Sequence, residues 1–167
     1  MYRHPHSHCV GLLALSPTIK NPYLAFPTAS TWDNPSALDN PDSNCDNRSA
    51  LGKVILFDTE SLNGVCTIFA HHSPLSCMSI NHDGTLLSTA SERGTIIRVW
   101  GVPSGQRLYQ FRRGSREAEI TFMSFNLSST ILAVSSAHIT IHFFKLEPVS
   151  PPESPNTEKN DSLASSP

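Results

Sequence analysis

The sequence predicts an all-β chain, an incomplete arc of a WD40-type β-propeller with about two to three four-stranded antiparallel blades, on three observations. The first is an internal echo. Met78, Ser79 and Asn81, followed by Thr85, Leu87, Ser91 and Thr95, recur as Met123, Ser124 and Asn126, followed by Thr130, Leu132, Ser136 and Thr140, every pair 45 residues apart. A period of that length is the signature of one propeller blade per repeat. The second is the texture within each copy: short runs rich in β-branched and aromatic residues, separated by turn residues such as His82, Asp83 and Gly84. The third is composition. Among 167 residues only 38% are hydrophobic and 13 are prolines, too thin for one compact core over the whole length, so part of the chain stands outside it.

The elements follow in chain order. Residues 1–8 read as a disordered terminus, and 9–146 as the partial propeller. A first, less regular blade runs as Cys9 to Ser16, Tyr23 to Pro27, Lys53 to Asp58 and Cys66 to Ala70. Its second and third strands are split by 28–52, a polar stretch with Trp32, Pro35, Pro41 and Asn44 that reads as a disordered loop insertion. The next blade is the clearest. Leu75 to Asn81 is a strand, His82 to Gly84 a hairpin turn, Thr85 to Ala90 a second strand and Thr95 to Trp100 a third; Pro103, Ser104 and Gly105 then turn the chain into Gln106 to Phe111. The last blade repeats three of these as Ile120 to Phe125, Thr130 to Ser135 and Thr140 to Lys145, and lacks the fourth. Residues 147–167 are Ser, Pro, Glu and Asn with little that is apolar, a disordered tail. About two and a half blades result, whereas propellers close with about four to eight. An open arc exposes edge strands and the apolar flanks of its end blades, so the expectation is a fragment of a longer product or an arc that a partner closes.

Composition excludes several classes. No run of 18 apolar residues exists to span a membrane, and Val10 to Leu15 is too brief for a signal-peptide core. Cys9, Cys45, Cys66 and Cys77 form no CxxC pair and read as reduced thiols of a cytoplasmic protein. The net charge is only -2, yet six arginines (93, 98, 107, 112, 113 and 116) fall between Arg93 and Arg116 with no acidic residue among them. A basic patch on a faintly acidic chain suggests a local anionic ligand. Within it, Phe111, Arg112, Arg113 and Gly114 set two arginines at the end of a strand. Neighbouring side chains of an extended segment point to opposite faces, so the pair can serve two separate anion pockets.

With the repeat and the double arginine placed, the chain resembles the PROPPIN family, the WIPI proteins and fungal autophagy-related WD-repeat propellers that bind phosphoinositides. The resemblance rests on Gly11 to Pro17, Tyr23 to Pro27, Ala70 to Leu75, Thr89 to Val99, Leu108 to Gly114, and Ser135 and Ser136 leading to Thr140 and His142. It implies two headgroup pockets at the propeller rim. Ser91, Gly94, Thr95, Arg98 and Arg112 fall on the first, and Arg113, Gly114, Ser136, Thr140 and His142 on the second; His71 lies on a matching stretch with a less defined role. The chemistry of these residues suits phosphate without reference to the family. Arginine forks pair bidentately with it, hydroxyls and glycine N–H groups donate further bonds, and a protonated histidine donates from both nitrogens. The ligands implied are phosphatidylinositol 3-phosphate and the 3,5-bisphosphate. The role implied is a peripheral adaptor of autophagy on preautophagosomal, endosomal or vacuolar membranes, with autophagy proteins as further partners. Three departures stand out. The family's early and last blades are missing, its membrane-inserting loop is among what is missing, and Trp100 and Gly101 replace the Phe-Ser common there, a change expected to be structural only.

Other readings are weaker. His4, His6, His8 and Cys9 are soft metal ligands in a frayed terminus, and Asp39, Asp42 and Asp46 lack the glycine and terminal glutamate of a calcium loop, so no metal and no cofactor are expected. No nucleophile elbow, zinc-protease, P-loop or dinucleotide pattern is present, so no enzyme is expected. Nucleic-acid binding would need exposed aromatics interleaved with the arginines, and only Tyr109 and Phe111 are so placed. The main competitor is a WD-repeat protein-interaction scaffold, or a truncated remnant without lipid binding.

Overall fold

The computed structural model describes residues 12–28 and 52–147. The predicted terminus, the body of the insertion and the tail beyond Glu147 lie outside the described residues, as do Cys9 and the two candidate metal clusters. Among the described residues there is no helix, and eleven strands form three antiparallel sheets.

The first sheet has the order β1 (Ala14–Leu15), β2 (Tyr23–Pro27), β3 (Lys53–Asp58) and β4 (Asn63–Phe69). It is a full four-stranded blade, as regular in order as the next; β4 begins three residues earlier than the apolar run suggests. The second sheet runs β5 (Leu75–Ile80), β6 (Leu86–Ser91), β7 (Ile96–Gly101) and β8 (Arg107–Arg112). The third has β9 (Ile120–Phe125), β10 (Ile131–Ser136) and β11 (Thr140–Lys145), without a fourth strand among the described residues. Every strand of the two repeats falls within about one residue of its predicted bounds.

The 45-residue echo has a structural cause at each hairpin. Asn81 Oδ1 accepts from the N–H groups of Thr85 and Leu86 at 2.8 and 2.9 Å. Asn126 Oδ1 does the same for Thr130 and Ile131 at 2.8 and 2.9 Å. An asparagine at the end of the first strand thus satisfies the backbone donors that the turn would leave unpaired. Asn81 is buried and its Nδ2 also donates to Ser129 Oγ of the third sheet at 2.8 Å, which ties two blades together. The turns also repeat in backbone. Gly84 and Ser129 are left-handed at φ 69° and 55°, and so are Gly94 and Ile139, both at 58°. Gly94 has a second reason to be glycine: a Cβ there would sit 1.8 Å from the Ala118 carbonyl, where the linker to the third sheet crosses.

Two cores hold the arc together. Ala14, Ala25, Val54, Leu56 and Ile68 of the first sheet meet Leu75, Met78, Leu87 and Trp100 of the second. On its other face the second sheet offers Cys77, Ala90, Ile97 and Val99 to Ile120, Met123, Leu132 and Val134 of the third. The strict period of two sends Leu87 and Thr89 to one core and Ser88 and Ala90 to the other, which is why β6 is buried almost end to end. Each fully buried Leu, Ile or Val contributes about 1.5–3 kcal/mol.

Candidate functional site

The two cores set the faces of β7 and β8, and with them the arginines. Arg98 pairs with Gln110 across the ladder and Ile96 with Arg112. Cross-strand partners share a face, so Arg98, Gln110 and Arg112 lie together on the side turned to the first sheet, while Ile97 and Phe111 face the third. Arg98 Nε donates to Gln110 Oε1 at 3.0 Å, and Nη1 to the Ala70 carbonyl of the inter-blade linker. Burial, then the charge of Arg107, lowers its pKa, yet a guanidinium starts so high that it stays charged. Ser91, Thr95 and Arg98, with His71, Ser73 and Arg93, line a cavity of about 100 Å³. Arg112 is exposed at its sheet face and has no side-chain hydrogen bond or ion pair among the described residues.

His71 is fixed from below. Thr89 is fully buried, and its Oγ1 accepts from Trp100 Nε1 at 2.9 Å and meets His71 Nε2 at 3.0 Å. The hydroxyl proton is then free to go to His71 Nε2, which the neutral ring offers as an acceptor. Burial first, and the Arg98 charge second, push the His71 pKa down to about 4. Trp100 therefore holds a buried hydroxyl that orients a histidine of the cavity wall.

The second cleft lies between the second and third sheets. Arg113, one residue past β8, donates from Nε to the Gly94 carbonyl at 2.8 Å and from Nη2 to the Arg116 carbonyl, while its own N–H donates to Thr95 O at 2.9 Å. Across the cleft, Ser136 and Thr140 are cross-strand partners with hydroxyls 2.8 Å apart. Val134 pairs with His142 and Leu132 with Phe144, so both rings face the second sheet. Phe144 stacks on Phe111 at 4.7 Å and His142 on Phe144 at 6.3 Å. His142 Nε2 is enclosed without a hydrogen-bond partner.

The fold thus brings Ser91, Thr95 and Arg98 to one cavity, with Arg112 paired to Ile96 on the same sheet face as Arg98, and sets Ser136, Thr140 and His142 on the face of the third sheet turned to the second. Arg113 and Gly114 open the loop beside that second group, and a Cβ on Gly114 would meet open space. Gly94, which the resemblance groups with Ser91, turns its carbonyl to Arg113, and Ala118 and Ile120 lie against its Cα. The local charge is less uniform than the run of arginines implies, because Glu117 pairs with Arg93 at 2.7 Å. His72, Ser73 and Arg93 at the first cavity have no motif signal beyond the His-His-Ser-Pro run of 71–74. Among the described residues no group of His, Cys, Asp or Glu could hold a metal ion.

Comparison with known proteins places this geometry in context. A family model described as PROPPIN matches residues 4–161. The autophagy-related protein 18 of Ajellomyces capsulatus is 49% identical over 148 residues, covering 86% of this chain and 36% of that protein. Among solved structures, KlAtg21 in its complex with the coiled coil of AgAtg16 is 33% identical, with a TM-score of 0.62 over 81% of this chain and 39% of that one. Hsv2p of Kluyveromyces lactis, at 23% identity, shares the fold with a TM-score of 0.64 over 83% of this chain and 38% of its own. The chain spans about a third of the length of the curated relatives it matches. Its three sheets correspond to part of such a β-propeller, and the chain belongs to the PROPPIN family.

Proposed function

We propose that the chain is a non-enzymatic adaptor of autophagy that binds phosphoinositides, taking phosphatidylinositol 3-phosphate or the 3,5-bisphosphate at the two clefts beside Arg112 and Arg113. The observation that carries this reading is the division of adjacent arginines between clefts: Arg112 on the Arg98 face toward the first sheet, Arg113 beyond the strand at the opening toward the third. The first cleft offers the Ser91 and Thr95 hydroxyls, the uncommitted Arg112 and the outer edge of Arg98. The second offers the Ser136–Thr140 hydroxyl pair, on the same sheet face as His142. Charge-assisted bonds of this kind are the strong ones.

Binding would hold the chain peripherally at autophagic membranes; no helix of the described residues is long and apolar enough to cross one. Headgroup contacts alone make a weak anchor, because stable residence usually takes two signals. The complex of KlAtg21 with the AgAtg16 coiled coil supports a coiled-coil protein of the same process as a further partner.

Liposome flotation tests the lipid reading. Vesicles with phosphatidylinositol 3-phosphate should carry the chain, and phosphatidylserine vesicles of equal charge should not. Replacing Arg112 and Arg113 together by Thr removes one charged donor at each cleft, about 1.5–3 kcal/mol apiece, so headgroup affinity at each cleft should fall roughly ten- to a hundredfold. Far-UV circular dichroism should still report the β-sheets, because Arg112 is exposed and the Arg113 bonds to the Gly94 and Arg116 carbonyls join turns and a loop outside the strand ladders. Binding that survives the double substitution, or that follows total negative charge alone, would sink the reading. A steep, uniform loss with salt on RNA or DNA would point to nucleic acid instead.

A further inference from the structure

The first cleft continues along β7 and β8 into a row of guanidinium groups. Arg98 borders the cavity with Ser91 and Thr95 on one side. On the other, its Nε donates to Gln110 Oε1 at 3.0 Å, and Arg107 Nη1 donates to the same oxygen at 3.3 Å. Arg107 opens β8 and Gln110 follows further along it, so the Arg107 side chain leans toward the Arg112 end of the strand. Arg107, Gln110 and Arg112 are all exposed. The ion pairs among the described residues, Arg93 with Glu117 and Lys145 with Glu147, involve none of Arg98, Arg107 and Arg112. Burial first, and the Arg107 charge second, lower the Arg98 pKa, so the two cations repel each other across one neutral oxygen. Two guanidinium forks that converge on a single uncharged acceptor keep most of their donors for an anion.

We propose that Arg107, with Arg98 across Gln110, forms a second phosphate subsite of the first cleft, taking the 5-phosphate of a headgroup whose 3-phosphate lies among Ser91, Thr95 and Arg98. The inference rests on the phosphoinositide reading and refines it, because the subsite makes this cleft prefer the 3,5-bisphosphate to the 3-phosphate. Arg98 serves both positions from its place between the cavity and Gln110. Ring carbons 3 and 5 are separated by one other, so their phosphates diverge enough to engage two guanidinium groups at once. A dianion between Arg98 and Arg107 replaces their repulsion with charge-assisted contacts. The opposite direction is closed to a second phosphate, since the neighbouring cavity on the Arg93 side is lined by Glu92 and Glu117.

Titration calorimetry on the full chain carrying Arg113→Thr reads the first cleft apart from the second. Inositol 1,3,5-trisphosphate should bind on the order of tenfold more tightly than inositol 1,3-bisphosphate, the value of one added charge-assisted contact. Adding Arg107→Gln should weaken the trisphosphate alone and bring the two affinities to within about twofold. The side chain is exposed and the ladder bonds of β8 are backbone bonds, so β-content by circular dichroism should hold. Lys20→Gln removes the same charge beside the turn where Asn21 Nδ2 donates to the Asp83 carbonyl, at the other end of β6 from Ser91, and should leave the preference intact. Three results overturn the subsite while the phosphoinositide reading stands: bisphosphate binding with no preference for the trisphosphate, a preference that survives Arg107→Gln, or an equal loss for both probes. The same loss in Lys20→Gln would assign the effect to general charge and overturn it too. Bisphosphate that does not bind, or that binds equally after Arg112→Thr, defeats the reading and the subsite together.

Discussion

His71, Thr89 and Trp100 form the most consequential small group in the chain. Their hydrogen bonds of 3.0 and 2.9 Å run through a hydroxyl with no exposure, so each polar atom depends on its neighbour. Trp100→Phe would strip the hydroxyl of its donor and should cost about 1–3 kcal/mol in urea unfolding. The histidine also predicts a pH dependence with a definite sign. Its folded pKa, about 4, lies below the ordinary 6.5, so the unfolded chain takes up a proton that the folded one refuses. Stability is therefore intact above pH 6.5 and falls as the pH drops toward 4, by up to about 1.4 kcal/mol per unit. Urea midpoints measured across that window should slope downward with acid, and His71→Gln should flatten the slope. An equal slope in the variant would assign it to another group.

At the level of the element, the hairpin asparagines separate two roles that look alike in sequence. Asn81 and Asn126 make the same pair of backbone contacts, but Asn81 is buried and also reaches Ser129 in the neighbouring sheet. Asn126 is exposed, and its Nδ2 finds only Ser128 and Thr130 of its own turn. Asn81→Ala should destabilise by about 3 kcal/mol, since it leaves buried donors unpaired, and Asn126→Ala by about 1 kcal/mol, with chemical denaturation as the measure. Equal losses would mean that the link to Ser129 contributes nothing. The strands themselves were legible because β-branched runs end at Gly, Asn and Pro. What period and spacing did not show is that the first blade completes its fourth strand from Asn63, through exposed residues with no apolar alternation.

Across the whole molecule, position in the arc sets local stability. The second sheet is packed on both faces, whereas β11 leaves one side of its backbone without a neighbouring strand among the described residues. Amide exchange should be slowest in β6 and β7 and fastest at the outward N–H groups of β11. Protection that is uniform over the three sheets would contradict this ordering.

The sequence by itself determined the class and the blade period, because these follow from local rules, alternation and turn residues at a fixed spacing; the grouping of residues into two clefts rests on the family resemblance. The tertiary structure alone decided which side chains meet. Register across β7 and β8 put Arg112 with Arg98, and the crossing linker at Ala118 turned the Gly94 carbonyl toward Arg113, although Gly94 stands beside Thr95 in the chain. Likewise, Trp100 reaches Thr89 across the β6–β7 ladder from 11 residues away and His71 reaches it from the linker before β5, 18 residues away, so only strand register and the path of the linker bring the three into one hydrogen-bonded chain. Contacts of that kind depend on register across strands and on where the linkers run, which alternation along a single strand does not encode.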